Sequence, residues 1–536
     1  MRTPHVGSLA LVVAIQLQLD DYDDTILDYR RRSSASLVEQ LESNNAWQKN
    51  GHVCRGSLPC IQPIDALALT DSIAPRDVQR LTRRFAARAR ANIELLALDL
   101  FRHHHALCSI VAPNESIIHV GYISSNFWTH SIRHLFVPLF KYHNMARFCV
   151  TYYSLSPLDQ LDQGAQLVKS ECELAGTFKD LSRITAKDAA SVIHADGVHI
   201  LAHLDGHTAH AHNEILALRP APIQLTFVLG FHGTCGADYL DYLVADRIVL
   251  GPPKPPGAPG TQYDIDECAL LLPNSCILNG HAMEYKNLLD DPPRGAPTRG
   301  TYGIPEDAFV FAYFGPLNWL DPVIFTTWMK ILQCVPNAIL WLNVCSRRSA
   351  VDRLKQECAS FQVEEHKLFF TDLAERYICV SCNVLADLVL DTPGYNAVDA
   401  TMDALWAGTP VVTFLGETIA TRISASLCTA AGCPELVTDT LADYKNLATS
   451  LAVDEDKLHE YRQKLVMSRA GPHQAPLFDS IKTLKHLEAG YQAIWGRKLD
   501  RKAPTDILVV DEASPGKNEQ VAISHSLGSQ LKRYAS

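Results

Sequence analysis

Short apolar strands alternate with helical segments twice along this chain, and proline- and glycine-rich intervals stand between the two runs. The first run opens with a strand over residues 117–123. It continues through a turn and helix to strands at 148–153, 199–202 and 225–229. After the intervals at 251–260 and 290–303 the pattern resumes with strands at 309–314, 338–342, 368–370, 388–390 and 411–413, and with helices over 325–333 and 400–407. Strands this short and this uniformly apolar are buried on both faces, which predicts parallel sheets covered by helices. The reading is an α/β chain of two doubly wound domains facing a cleft, with ligands at the carboxyl ends of the strands. Its boundaries are a helical N-terminal segment over 1–112, domains over 113–295 and 296–498, and a disordered tail over 499–536. A short strand at 507–510 is the alternative within that tail.

Composition narrows the function. A chain of 536 residues, 47% hydrophobic and 20% charged, can bury cores for two or three domains. A net charge of -11 gives no basic excess for gripping nucleic acid or anionic lipid. The 15 cysteines are scattered through apolar segments, as reduced thiols of an intracellular protein would be. The apolar run at residues 8–15 is too short to span a bilayer and is read as the opening of an amphipathic helix rather than a signal peptide. Cys379 and Cys382 form a C-x-x-C without a second ligand pair, and His103, His104 and His105 point to different faces of a helix. Neither is read as a metal site. No 34-residue repeat, phosphate loop or nucleophile elbow is visible.

Several ordered blocks carry a resemblance. They are Val120 to Phe127 with His130 and His134, Asp205-Gly206-His207-Thr208, Leu218 to Gln224, and Gly230 to Gly236. In the second half they are Leu390-Asp391-Thr392-Pro393, Met402 to Thr413, and Gly416-Glu417-Thr418 through Arg422. Together they resemble the catalytic region of the O-GlcNAc transferases and their SPINDLY relatives, over roughly residues 20–491. The resemblance implies a GT-B fold of two Rossmann-like domains. It also implies transfer of GlcNAc from UDP-GlcNAc to Ser or Thr of cytosolic or nuclear proteins, with inversion and without metal or other cofactor. Fucose from a GDP donor is the SPINDLY variant of the same chemistry. The family's tetratricopeptide repeats recruit acceptors, so a partner carrying such repeats is expected, and no membrane or nucleic acid.

Carried onto this sequence, the resemblance places Asp403 at the ribose, with Ala400 and Thr401 on the same helix. His130 and His207 fall at the sugar and acceptor, and Thr208, Gly233 and Thr234 line the cleft. Thr418 and Arg422 close the nucleotide end, with a helix cap and a surface ion pair as the alternative for these two. Three positions depart from the pattern. Asp399 stands where a phosphate-facing threonine is expected, Trp319 where a lysine would counter charge on the departing UDP, and Cys379 near an expected histidine. The departures admit a rival reading, a scaffold that binds without transfer.

Overall fold

The computed structural model describes residues 63–67, 74–96, 98–101, 103, 117–127, 133–157, 169–170, 172–174, 176–208, 210–254, 263–286, 296–344, 348–373, 376–511 and 522–523. Two compact units divide the chain. The first comprises Thr82–Leu278 with Ser480–Ser536, and the second Asn279–Asp479 with Met1–Leu81. The helix expected at the extreme N terminus, His130, and the tail beyond 511 other than residues 522–523 lie outside the described residues.

From Thr82 onward helix α1 (Pro75–Leu95) is part of the first unit, where Arg83 Nε donates to Asp266 at 2.9 Å and Asn92 to Glu214. The unit then runs β1 (Ile118–Ser124), α2 (Arg133–Lys141), β2 (Phe148–Ser154), β3 (Thr177–Asp180), α3 (Ala186–Ala195), β4 (Ile200–His203), α4 (Asn213–Ala217), β5 (Ile223–Phe227), β6 (Tyr242–Asp246) and β7 (Cys268–Leu272). Local chemistry sets the boundaries: Thr185 caps α3 by accepting from the Asp188 N–H.

The second unit follows with α5 (His281–Glu284), β8 (Phe309–Tyr313), α6 (Pro322–Cys334), β9 (Ala338–Asn343), α7 (Arg348–Ser360), β10 (Leu368–Thr371), α8 (Arg376–Asn383) and β11 (Leu388–Leu390). Then come α9 (Val398–Ala407), β12 (Val411–Phe414), α10 (Ile423–Ala430), β13 (Val437–Thr438), α11 (Leu441–Leu451) and α12 (Glu455–Ser468). Asp321 caps α6 ahead of Pro322, and Gly408, at φ +82°, ends α9 in the left-handed conformation. All neighbours in this six-stranded sheet, ordered β10-β9-β8-β11-β12-β13, are parallel.

The chain then returns to the first unit through α13 (Ser480–Leu499), β14 (Ile507–Leu508) and β15 (Ala522–Ile523). They complete a nine-stranded sheet, β15-β14-β7-β6-β5-β4-β1-β2-β3, in which only the β14–β15 pairing is antiparallel. The strand alternative at 507–510 is the one that β14 follows, and by its contacts α13 groups with the first unit rather than with the second. Ile507 is fully buried against β7, and α13 is packed into the first unit. Glu488 Oε1 receives the Asn144 N–H at 2.8 Å and lies 2.9 Å from His143 Nδ1, and Trp495 stacks on His199 at 4.3 Å. Gly490 lets α13 approach so closely that a Cβ there would lie 2.9 Å from Leu270. Among the described residues no helix is long and apolar enough to cross a membrane.

Candidate functional site

In a doubly wound sheet, ligands sit where the strand order reverses. In the first unit that point lies between β1 and β4, and one buried carboxylate organises it. Asp205, just past β4, accepts from Ser124 Oγ at 2.5 Å and from the Ser125 N–H at 2.6 Å, both at the end of β1. The turn leading from β1 toward His130 is therefore fixed by an acid 80 residues later in sequence.

His207 and Thr208 follow Asp205, but the two differ. His207 is buried and Nε2 lies 2.7 Å from the Cys235 carbonyl oxygen, which it meets as donor. Burial pushes this imidazole down to about 4, so it is neutral near pH 7. Such a ring braces the 228–236 loop through Nε2, while Nδ1 lies 3.4 Å from Asn213 Nδ2. Thr208 is half-buried, and its hydroxyl has no hydrogen-bond partner among the described residues. Thr234 is tied inward: its hydroxyl donates to buried Glu267 at 2.6 Å and accepts from the Asp266 N–H. The Gly233 N–H is spent on the Phe231 carbonyl. Thr234 and Gly233 thus shape the loop. The close approach at Gly230 is loop against loop: a Cβ there would fall 1.7 Å from the Leu204 carbonyl oxygen. Gly230→Ala is expected to cost about 3 kcal/mol through overpacking, read as a lower denaturant midpoint.

In the second unit the order reverses between β8 and β11, and the loops after these strands meet there. Trp319, at the end of a short 3-10 turn (Leu317–Trp319), packs on Tyr395 with ring centres 4.4 Å apart. Tyr395 is buried, and both burial and the negative charge of Asp399 push its hydroxyl up. The strand-end position expected to carry a cation therefore holds an aromatic pair with a half-buried carboxylate beside it.

The loop into α9 is held by Asp391. Its carboxylate accepts from Asn396 Nδ2 and Thr413 Oγ1, each at 2.8 Å, and from the Ala397 N–H at 3.1 Å. Burial nevertheless pushes this carboxyl up to about 6. A folded value above the ordinary 3.8 means stabilisation that is complete below about pH 4 and lost as pH rises through about 6. The difference corresponds to about 3 kcal/mol. Thermal unfolding between those limits is expected to show a falling midpoint whose slope is shallower in Asp391→Asn; equal slopes would refute this.

Helix α9 begins at Val398 without a side-chain cap; the Val398 N–H meets the Asn396 carbonyl oxygen at 3.0 Å, which leaves those of Asp399 and Ala400 for an anion. Ala400 is buried, and Thr401 spends its hydroxyl on Ser424 at 3.1 Å, so neither offers a side-chain donor to a phosphate. Asp403 is fully buried, with Oδ1 2.7 Å from His281 Nε2. His281, also fully buried, has Nδ1 2.9 Å from Asn279 Oδ1. Thr418 forms a capping box with Thr421, and Arg422 donates to the Gly416 carbonyl at 2.8 Å. The capping box accounts for the Thr418 hydroxyl, and Arg422 secures the same loop. Cys379 and Cys382 lie on α8, where Cys382 Sγ contacts Tyr302 Oη at 3.3 Å. His103 Nε2 lies 2.8 Å from the Arg219 carbonyl oxygen.

A family model described as glycosyl transferase family 41 matches residues 52–288 and 294–487. The probable UDP-N-acetylglucosamine--peptide N-acetylglucosaminyltransferase SEC of Arabidopsis thaliana is 34% identical over 457 residues, covering 85% of this chain and 44% of the relative. The UDP-N-acetylglucosamine--peptide N-acetylglucosaminyltransferase of Caenorhabditis elegans is 26% identical over 600 residues, 92% of this chain and 49% of the relative. A probable enzyme of the same name, SPINDLY of Oryza sativa, is 28% identical over 391 residues, 72% of this chain and 40% of the relative. The chain spans less than half the length of these curated relatives. A solved structure of a Thermobaculum terrenum O-GlcNAc transferase mutant superposes with TM-score 0.66 at 22% identity, covering 88% of this chain and 85% of that one, a likeness of fold.

Proposed function

This chain belongs to glycosyl transferase family 41, and on that footing we propose that it binds UDP-GlcNAc and transfers GlcNAc to Ser or Thr of cytosolic or nuclear proteins, without a metal. The observation that carries the reading is Asp403: a carboxylate oriented on the helix that follows the switch-point strand β11, in a chain of this family. Such a carboxylate accepts hydrogen bonds from ribose hydroxyls. The uncapped start of α9 meets the diphosphate with backbone N–H groups, whose partial positive charge stabilises the leaving group. Asp205 sets the turn that leads to His130, which serves the sugar. Acceptor selectivity comes from a tetratricopeptide-containing partner.

A second reading, binding with little transfer, is favoured by one observation. The Trp319–Tyr395 pair and Asp399 supply no cation where negative charge builds on UDP. An ionised carboxylate near a diphosphate opposes it. Calorimetric titration with UDP, followed by transfer of labelled sugar from UDP and GDP donors to acceptor proteins, separates the readings. Saturable UDP binding with transfer supports the first, binding without transfer the second. No binding at about millimolar UDP, a Kd range worth only about 4 kcal/mol, sinks both.

A further inference from the structure

The contacts of His281 define its protonation. The Asn279 side-chain oxygen receives the His281 backbone N–H at 2.9 Å, which orients the amide, since a flipped amide would set NH2 against N–H. The same oxygen lies 2.9 Å from His281 Nδ1, so Nδ1 faces an acceptor and carries a proton. On the other edge of the ring Nε2 faces Asp403 Oδ1 at 2.7 Å. A carboxylate only accepts, so Nε2 carries a proton as well.

We propose that His281 is a positioning residue, held as an imidazolium, that orients Asp403 and neutralises its charge for the ribose of a bound nucleotide. The proposal rests on the reading of Asp403 as the ribose acid. Both side chains are fully buried, where an unpaired carboxylate would be costly, so the pair is a condition of keeping an ionised acceptor in this place. Tyr285 and Trp406 face the ring at 5.5 and 5.9 Å, and the Arg469 guanidinium lies 5.7 Å from the Trp406 ring centre. Asn279 completes the arrangement from the turn before α5. Neutralising Asp403 leaves its oxygens as acceptors while removing net negative charge from a site that must admit a nucleoside diphosphate.

Two substitutions separate hydrogen bond from charge. In His281→Gln the amide nitrogen reaches Asp403 as a donor but brings no charge, and in His281→Ala both are lost. UDP affinity of the full chain is measured by calorimetry at neutral pH. His281→Gln is expected to bind roughly tenfold more weakly, and His281→Ala roughly a hundredfold more weakly. Thermal unfolding confirms that the variants are folded. Imidazole nitrogen chemical shifts of the native chain, assigned by the signal lost in His281→Gln, read the charge independently of any nucleotide. Two protonated nitrogens at neutral pH support the proposal and a neutral tautomer overturns it. UDP affinity unchanged in both variants overturns the positioning role while leaving the nucleotide reading intact. A native chain that does not bind UDP overturns both.

Discussion

Asp403→Ala is expected to weaken UDP binding by roughly a hundredfold, to the edge of detection. The effect has two sources. The ribose hydroxyls lose their acceptor, and His281, buried with Nε2 2.7 Å from the missing carboxylate, loses that hydrogen bond. The second source also costs stability, so the variant should unfold at a lower temperature than the native chain. Uridine and UDP are expected to lose affinity by similar factors, because the missing contact is to the ribose. A variant that titrates like the native chain would remove Asp403 from the nucleotide site.

Trp319→Lys is expected to raise the rate of sugar transfer, by roughly a hundredfold if the rest of the apparatus is intact, because one preorganised cation aimed at a leaving group contributes on that scale. The indole packs on Tyr395 at 4.4 Å, so the exchange also gives up an aromatic contact of about 1 kcal/mol. Initial rates with labelled donor check the gain. A lysine that leaves transfer at background would mean that Asp399, or a further change, is enough to disable the site, and the binding reading would stand.

Much of the fold was legible because buried parallel strands are short, apolar and separated by helices. β2, β8, β9, β10, β11 and β12 begin where the apolar runs begin. β6 and β7 were not legible, for different reasons. Tyr242–Asp246 runs directly into Arg247–Leu250 without a turn signal, so strand and helix read as one apolar stretch. Cys268–Leu272 is mostly alanine and leucine, residues that favour helix over strand. β3 is a polar edge strand with no buried residue to mark it.

The site was legible where a motif is local. Asp403 was singled out by its place on the helix and in the matched block, but its partner His281 lies 122 residues earlier, on a four-residue helix with no periodicity to flag it. Asp391 and Asp205 stood inside the matched blocks, yet their roles depend on donors brought in by the fold, from Thr413 and from Ser124. The hydrogen bonds of His207 and Thr234 to their own loops were not legible, for the same reason in reverse. A residue at the strand-end level can spend its polar atoms on the loop that carries it, and sequence position does not say which.

The return of α13 and β14 to the first sheet bears on how the protein is made. On the ribosome, β7 is synthesised more than two hundred residues before the strand that pairs with it. Throughout that interval its outer edge offers unpaired backbone groups, and Leu270 lacks the helix that covers it. The nascent first unit is therefore expected to expose this edge until α13 and β14 emerge. Ribosome stalling or truncation near residue 479 should yield insoluble chains even though every strand from β1 to β13 has been translated.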